Sequence, residues 1–418
     1  MGNLTRRPAW PVALDVAAAL APILALWRTA AAALVVAALL AIALLRRLIL
    51  RENPRMQRLV LLDAAAAVFL LSRLLSGCVG FYSANSQAAL LPAWTAVGLY
   101  IAVRLATRPH RQIIWTISLV WLAVYAVLAL LTLLQFNLLQ IMLDLVGFRQ
   151  PIHFKYLFQP FGFYINGWAT LFLFLLPAPL YCFYFHHQRW LQIAAFCAAV
   201  AFLAVVLISF SRGLYLALAL LLLLTCTGLC ILHSELRRSR IRRSGLLLAA
   251  LALLAIPIRE PAAATLSFFR TVSQVRSASG RVRIWAESRH MLRENPLVGV
   301  GAGNFALCYP LYRSAACEAA FVSRAFNSYV QIACEGGAVA IAAFGALIAA
   351  FLRAIRCRLQ HRENELERAA VWLWFSATAA LLAREICYTD LFAFDALVLH
   401  VFVVLAWAAA EEGDARGI

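Results

Sequence analysis

The segment IIWTISLVWLAVYAVLALLTLL at positions 113–134 carries no charged side chain. Wound as a helix at about 1.5 Å per residue it reaches roughly 33 Å, enough to cross a hydrocarbon core of about 30 Å. A helix also satisfies its own backbone amides where no water is at hand. Working outward, apolar runs of similar kind recur at about 8–27, 29–46, 59–76 and 88–106 on one side. On the other they recur at 167–185, 190–208, 214–232, 245–257, 327–352, 369–386 and 392–410. The spacing therefore predicts an all-α, polytopic membrane protein of about twelve transmembrane helices. The run at 245–257 is the shortest and ends at Pro257, so the count is least secure there. Composition excludes a soluble enzyme: of 418 residues 64% are hydrophobic and 13% charged, whereas soluble domains are about one-quarter charged. The apolar stretch after Arg6 and Arg7 runs straight into a second span, so the first span is expected to remain as an anchor rather than be cleaved.

The net charge is +18, from 37 basic and 19 acidic residues, and Lys155 is the one lysine. In a membrane chain such an excess first reports orientation, and nucleic-acid binding is not expected. With the N-terminus in the cytoplasm, 22 basic residues fall inside and 14 outside, while Arg73 lies within a span. Both termini are then cytoplasmic. The chain divides into N-terminal spans at 1–257, an extracytoplasmic loop at 258–325 and C-terminal spans with a short tail at 326–418. Nine of the outside arginines crowd into 258–325, which orientation does not explain. A solvated domain or an anion site would account for them. Two further outside segments are the turn at 209–213 and the stretch 135–166, which carries Arg149, His153 and Lys155.

The ten cysteines form no CxxC pair, and most sit inside apolar spans as small buried hydrophobes. Cys308 and Cys317 share the outside loop, where a disulfide and two free thiols are both open. GVGAGNF (299–305) resembles a phosphate loop only superficially, because no strand precedes it. Its glycines read as a tight turn after a helix that stops at Asn295-Pro296.

GRVRIWAESRHMLRE (280–294) reads as an amphipathic helix, with Ile284, Trp285, Met291 and Leu292 at helical spacing and Ser279 as its N-cap. Lying on the outer leaflet, it would sink that face and hold Arg281, Arg289 and Arg293 at headgroup height, where the diphosphate of a lipid carrier sits. Guanidinium suits that task, since it grips phosphate through paired hydrogen bonds and keeps its charge. Arg212 stands at the outer mouth of a span, where a cation has either a partner or a task.

SFSRGLYLALAL (209–220), SGRVRIWAESRHMLRENPLVGVGAGNF (279–305) and FNSYVQIACEGG (326–337) resemble the three signature blocks of the O-antigen ligase and polymerase family of bacterial membrane glycosyltransferases. FGFYINGWATLF (161–172) is a weaker fourth match, and the N-terminal half matches only in hydropathy. The resemblance implies a GT-C-like architecture and transfer of a glycan from an undecaprenyl-diphosphate carrier to an acceptor hydroxyl on the periplasmic side, with no metal, nucleotide or other cofactor. In the ligases the acceptor is the lipid A–core oligosaccharide. It also implies that Arg212 and Arg281 bind the diphosphate; by position alone, Arg289, Arg324, Asn327 and Lys155 are further candidate contacts to donor or acceptor.

One residue departs from the pattern. The family's last block opens with His-Asn, and here the pair is Phe326-Asn327. Phenylalanine neither accepts a proton nor polarises a hydroxyl. Three explanations stand open: electrostatic stabilisation by arginines alone; another base, with Glu335 the first candidate and His153, Glu318 and His290 behind it; or an altered, inactive relative. Asn327 also reads as a local cap, Arg324 as a boundary arginine, and Asp390 or Asp395 as an ion-pair partner for Arg384. Basic loop and length favour a ligase over a polymerase. A lipid-linked oligosaccharide flippase is the alternative of another class, but the chain shows neither related halves nor a set of mid-membrane charges.

Overall fold

The computed structural model describes residues 10–26, 28–49, 60–104, 110–145, 157–232, 242–256, 278–314, 322–360, 365–389, 391 and 395–410. Among these the chain is helical, with α1 (Trp10–Leu24), α2 (Thr29–Ile49), α3 (Leu61–Val79), α4 (Ser83–Arg104) and α5 (His110–Leu145). Then come α6 (Ile165–Leu175), α7 (Pro177–Phe185), α8 (Arg189–Leu207), α9 (Arg212–Leu232) and α10 (242–256). The segment between α10 and the next long helix contributes α11 (Ala278–Glu294) and α12 (Phe305–Tyr312). The chain closes with α13 (Ser328–Gln360), α14 (Glu365–Arg384) and α15 (Asp395–Ala410). Seven described helices are long and apolar enough to cross a membrane, and four shorter apolar ones accompany them. The chain is an all-α, multi-pass membrane protein.

The span made of α6 and α7 is the centre of the bundle, with 94% of its most apolar window buried inside the protein. Trp168, Phe172 and Leu175 are fully enclosed, as expected of a helix that is apolar all round. Pro177 lacks the amide that would continue the ladder, which splits the span into two helices. The outer helices bury only about half of theirs and turn residues such as Leu34, Leu130 and Leu216 outward, a surface suited to lipid rather than water. Lipid gives no hydrophobic drive between helices, so close approach and buried hydrogen bonds hold them. Val36 packs against Gly98, Trp168 Nε1 donates to Thr132 Oγ1 at 3.0 Å, and Tyr125 and His400 share a bond of 3.0 Å.

Two sequence expectations change. The span at 113–134 belongs to a 36-residue helix, α5, of about 54 Å, which continues through QFNLLQIMLDL (135–145) instead of ending in a loop. The run at 327–352 is not one uninterrupted helix. Gly337 sits at φ 65, ψ −164, which breaks α13 near its start.

The break is filled by the glycine-rich turns. Val300 and Gly301 donate their amides to Cys334 O and Glu335 O at 3.0 Å each, and Ala338 and Val339 donate to Pro296 O and Leu297 O at 2.8 and 3.2 Å. Helix ends that would otherwise face an apolar interior are thereby satisfied. Phe81 N–H donates to Val300 O at 3.1 Å and Asn85 Nδ2 to Gly303 O at 2.5 Å, tying the same turns to the α3–α4 connection.

Candidate functional site

Tyr388, just beyond α14, joins segments that lie far apart in sequence. Its hydroxyl and Ser211 Oγ are 3.0 Å apart, either one donating. Its ring lies so close to Gly213 that a Cβ there would stand 2.5 Å from Cε2. The guanidinium carbon of Arg281 lies 4.7 Å from the ring centroid, and that of Arg384 lies 4.2 Å from it. Two cations share one ring because Arg384 is matched by Glu385 at 3.3 Å. Ser328 N–H donates to both Glu385 O and Tyr388 O, at 2.9 Å each, and its hydroxyl donates to the Glu385 carboxylate.

Arg281 is gripped on several sides. Its Nη1 donates to Cys387 O at 2.7 Å, and its guanidinium also lies 5.4 Å from the centroid of Phe326. Phe326 is therefore in contact with Arg281. Arg212 is the exposed first residue of α9, and its neighbours Ser211 and Gly213 are the two that touch Tyr388. The three non-glycine residues at positive φ, among those described, are Phe161, Phe210 and Phe326. Each falls in or beside one of the resemblance blocks. Such conformations cost about 1–3 kcal/mol apiece and gather at functional sites.

Beside this cluster lies a cavity of about 370 Å³ whose wall includes Arg73, Asn85, Arg324, Ser328, Gln331 and Glu335. Ser328 belongs to both. Glu335 is buried, with Oε2 taking Arg73 Nη2 at 3.0 Å and Oε1 taking Gln331 Nε2 at 2.8 Å. Both carboxylate oxygens are thus engaged, and Glu335 faces the cavity rather than Arg281. Asn327 Oδ1 accepts from Val330 N–H at 3.0 Å, which caps α13.

The remaining sequence candidates disperse. Arg324 is exposed at the cavity. Arg289 is exposed two turns along α11, with Nε on its own helix at Ala286 O, 3.3 Å. His290 is exposed on the same helix. Lys155, with Arg149 and His153, lies outside the described residues, as do Glu318, Cys317 and Asp390; Cys308 is buried. Arg384 pairs with Glu385, while Asp395 accepts from Thr29 Oγ1 at 2.6 Å.

The amphipathic face of α11 does not turn to lipid. Ile284 and Met291 are buried against Val300, Phe305, Tyr309 and Ala325, and Trp285 Nε1 donates to Ala325 O at 2.8 Å. Nor does Ser279 cap the helix, which begins one residue earlier. The loop helices are instead tied together by Glu287, whose carboxylate takes Ser314 N–H at 2.7 Å and Ser314 Oγ at 2.8 Å. Those two donors hold its pKa below the usual carboxylate value. The tie is therefore in place above the ordinary carboxylate range and is lost as pH falls through the lowered pKa.

Sequence reasoning missed Arg73, Gln331, Glu385 and Tyr388. One signal was present for the first: an arginine inside an apolar span needs a partner, but Asp15, Glu335, Glu385 and Asp395 all lie in other spans, so the sequence does not choose among them. Nothing in the sequence marks Tyr388.

No curated protein gives a significant match to the chain. Residues 197–345 match the family model described as O-antigen ligase, a stretch that contains Arg212, Arg281, Phe326 and Glu335 and leaves out Arg73 and Tyr388. Over that stretch the chain is similar to the O-antigen ligase family of membrane proteins.

Proposed function

We propose that the protein transfers a glycan from an undecaprenyl-diphosphate carrier to an acceptor hydroxyl at the periplasmic face of the inner membrane, most simply as ligation to lipid A–core. The observation that carries this reading is the convergence on Tyr388 of the 209–213 turn and Arg281, next to a polar cavity. In this mechanism the acceptor oxygen attacks the anomeric carbon, the bond to the diphosphate breaks, the hydroxyl's proton passes to water, and the configuration inverts. Arg281 and Arg212 neutralise charge as it develops on the departing diphosphate, in a site already organised for it. A diphosphate leaves without needing a proton. Electrostatic stabilisation therefore does most of the work, and Glu335, held by Arg73 and Gln331, stands ready on the cavity side to orient the acceptor.

Reconstitution with undecaprenyl-diphosphate glycan and lipid A–core tests this. Arg281→Ala and Arg212→Ala are each expected to lower transfer by about 10²–10³, the cost of removing one preorganised donor from a developing anion. Unchanged transfer in both variants removes the mechanism. Product on lipid A–core identifies a ligase, and lengthened carrier-bound glycan identifies a polymerase.

A further inference from the structure

Arg281 differs from three other buried or half-buried arginines of the bundle. Arg73 is neutralised by Glu335, Arg104 by Asp63 and Arg384 by Glu385. Among the described residues no carboxylate pairs with Arg281; its contacts are Cys387 O and the rings of Phe326 and Tyr388. A guanidinium carries five N–H groups, and one is used here. The orientation is fixed by a carbonyl and two aromatic rings, and the remaining donors have no acceptor among the described residues.

We infer that Phe326 and Tyr388 form an aromatic bracket that preorganises Arg281 to grip a diphosphate, so that the phenylalanine at the histidine position is a working positioning residue. The inference rests on the proposed function and adds to it the reason why that function survives the change. A cation held by ring quadrupoles has no counter-charge to offset its field, unlike one paired with a carboxylate. Holding it beforehand also removes the entropy that an ordered long side chain would lose on binding. The positive φ of Phe326 belongs to the same arrangement, as strain retained at a position where the ring meets Arg281. Tyr388 adds a second bond, to Ser211, so the bracket also fixes the turn that carries Arg212.

The test is binding of undecaprenyl diphosphate to the full-length protein in lipid nanodiscs, with thermal melting of each variant in parallel. Phenylalanine at 326 is replaced by analogues of rising fluorination, which drain the negative ring face while keeping its shape nearly constant. Affinity is expected to fall stepwise, by about tenfold over the series, as the cation–π attraction is removed. Tyr388→Leu is expected to lose about three- to tenfold and Tyr388→Phe to restore most of it. Phe326→His is expected to bring no gain in glycan transfer. A flat fluorination series, or a gain with Phe326→His, overturns the bracket. If the series is flat while Arg281→Ala binds weakly, the proposed function stands and only the bracket falls. If Arg281→Ala binds like the parent, the functional reading itself fails.

Discussion

At the scale of single residues, the Arg73–Glu335 pair is the clearest case of burial deciding energetics. Both side chains are more than nine-tenths enclosed and lie 3.0 Å apart. Removing one partner leaves the other charged in a low-dielectric interior, which costs about 3–5 kcal/mol, whereas replacing both with neutral groups of similar volume is often close to neutral. Arg73→Met and Glu335→Gln alone are therefore expected to lower thermal stability strongly. The double variant recovers most of it, measured as melting of the purified protein. Additive losses in the double variant would show that the pair does not act as a unit. The pair was not legible in the sequence because its members stand 262 positions apart and each, taken alone, reads as an odd charge in a span.

At the scale of elements, the interrupted start of α13 makes a sharper demand. A Cβ on Gly337 would stand 2.2 Å from the carbonyl of Leu297, at a φ of 65 that side chains avoid. A Cβ on Gly345, further along the same helix, meets nothing within 4 Å. Gly337→Ala is expected to destabilise by more than about 3 kcal/mol or to prevent folding, through backbone clash and strain. Gly345→Ala is expected to stabilise by up to about 1 kcal/mol, since alanine is the better helix former. Equal melting temperatures for the two variants would contradict the structure. Nothing in the sequence signals that a distant turn enters between the two halves of α13, because that pairing is tertiary. Helix existence, by contrast, was legible almost throughout: each expected span has a helix over most of its length among the described residues. Apolar runs of bilayer length allow few other structures. Ends were less so, and α5 shows why. Residues 135–145 mix Gln, Asn and Asp into an amphipathic continuation that hydropathy alone reads as loop.

Across the whole molecule, the α3–α4 connection, the 209–213 turn, the glycine-rich turns and the segment after α14 meet at one end of the bundle. Cys387 is exposed at that end, and Cys357, half-buried, lies far along α13 from it. In single-cysteine variants in intact spheroplasts, a membrane-impermeant maleimide is expected to label Cys387 and spare Cys357. The reverse pattern would turn the site toward the cytoplasm and undo the orientation drawn from arginine placement. The signature arginines were legible as residues of a shared block pattern. The tyrosine that gathers them was not, since it acts from outside the matched stretch and makes its contacts only after α14 has packed against α9.

The stitching of Pro296, Leu297, Val300 and Gly301 into the gap of α13 has a mechanical corollary. The loop's root and the last block move as one rigid piece, because parting them would strand backbone dipoles away from water. In the proposed transfer, admission of a lipid-linked glycan would then require tilting that piece as a whole, and replacing one of the two segments without its mate should yield a chain unable to close its own seam.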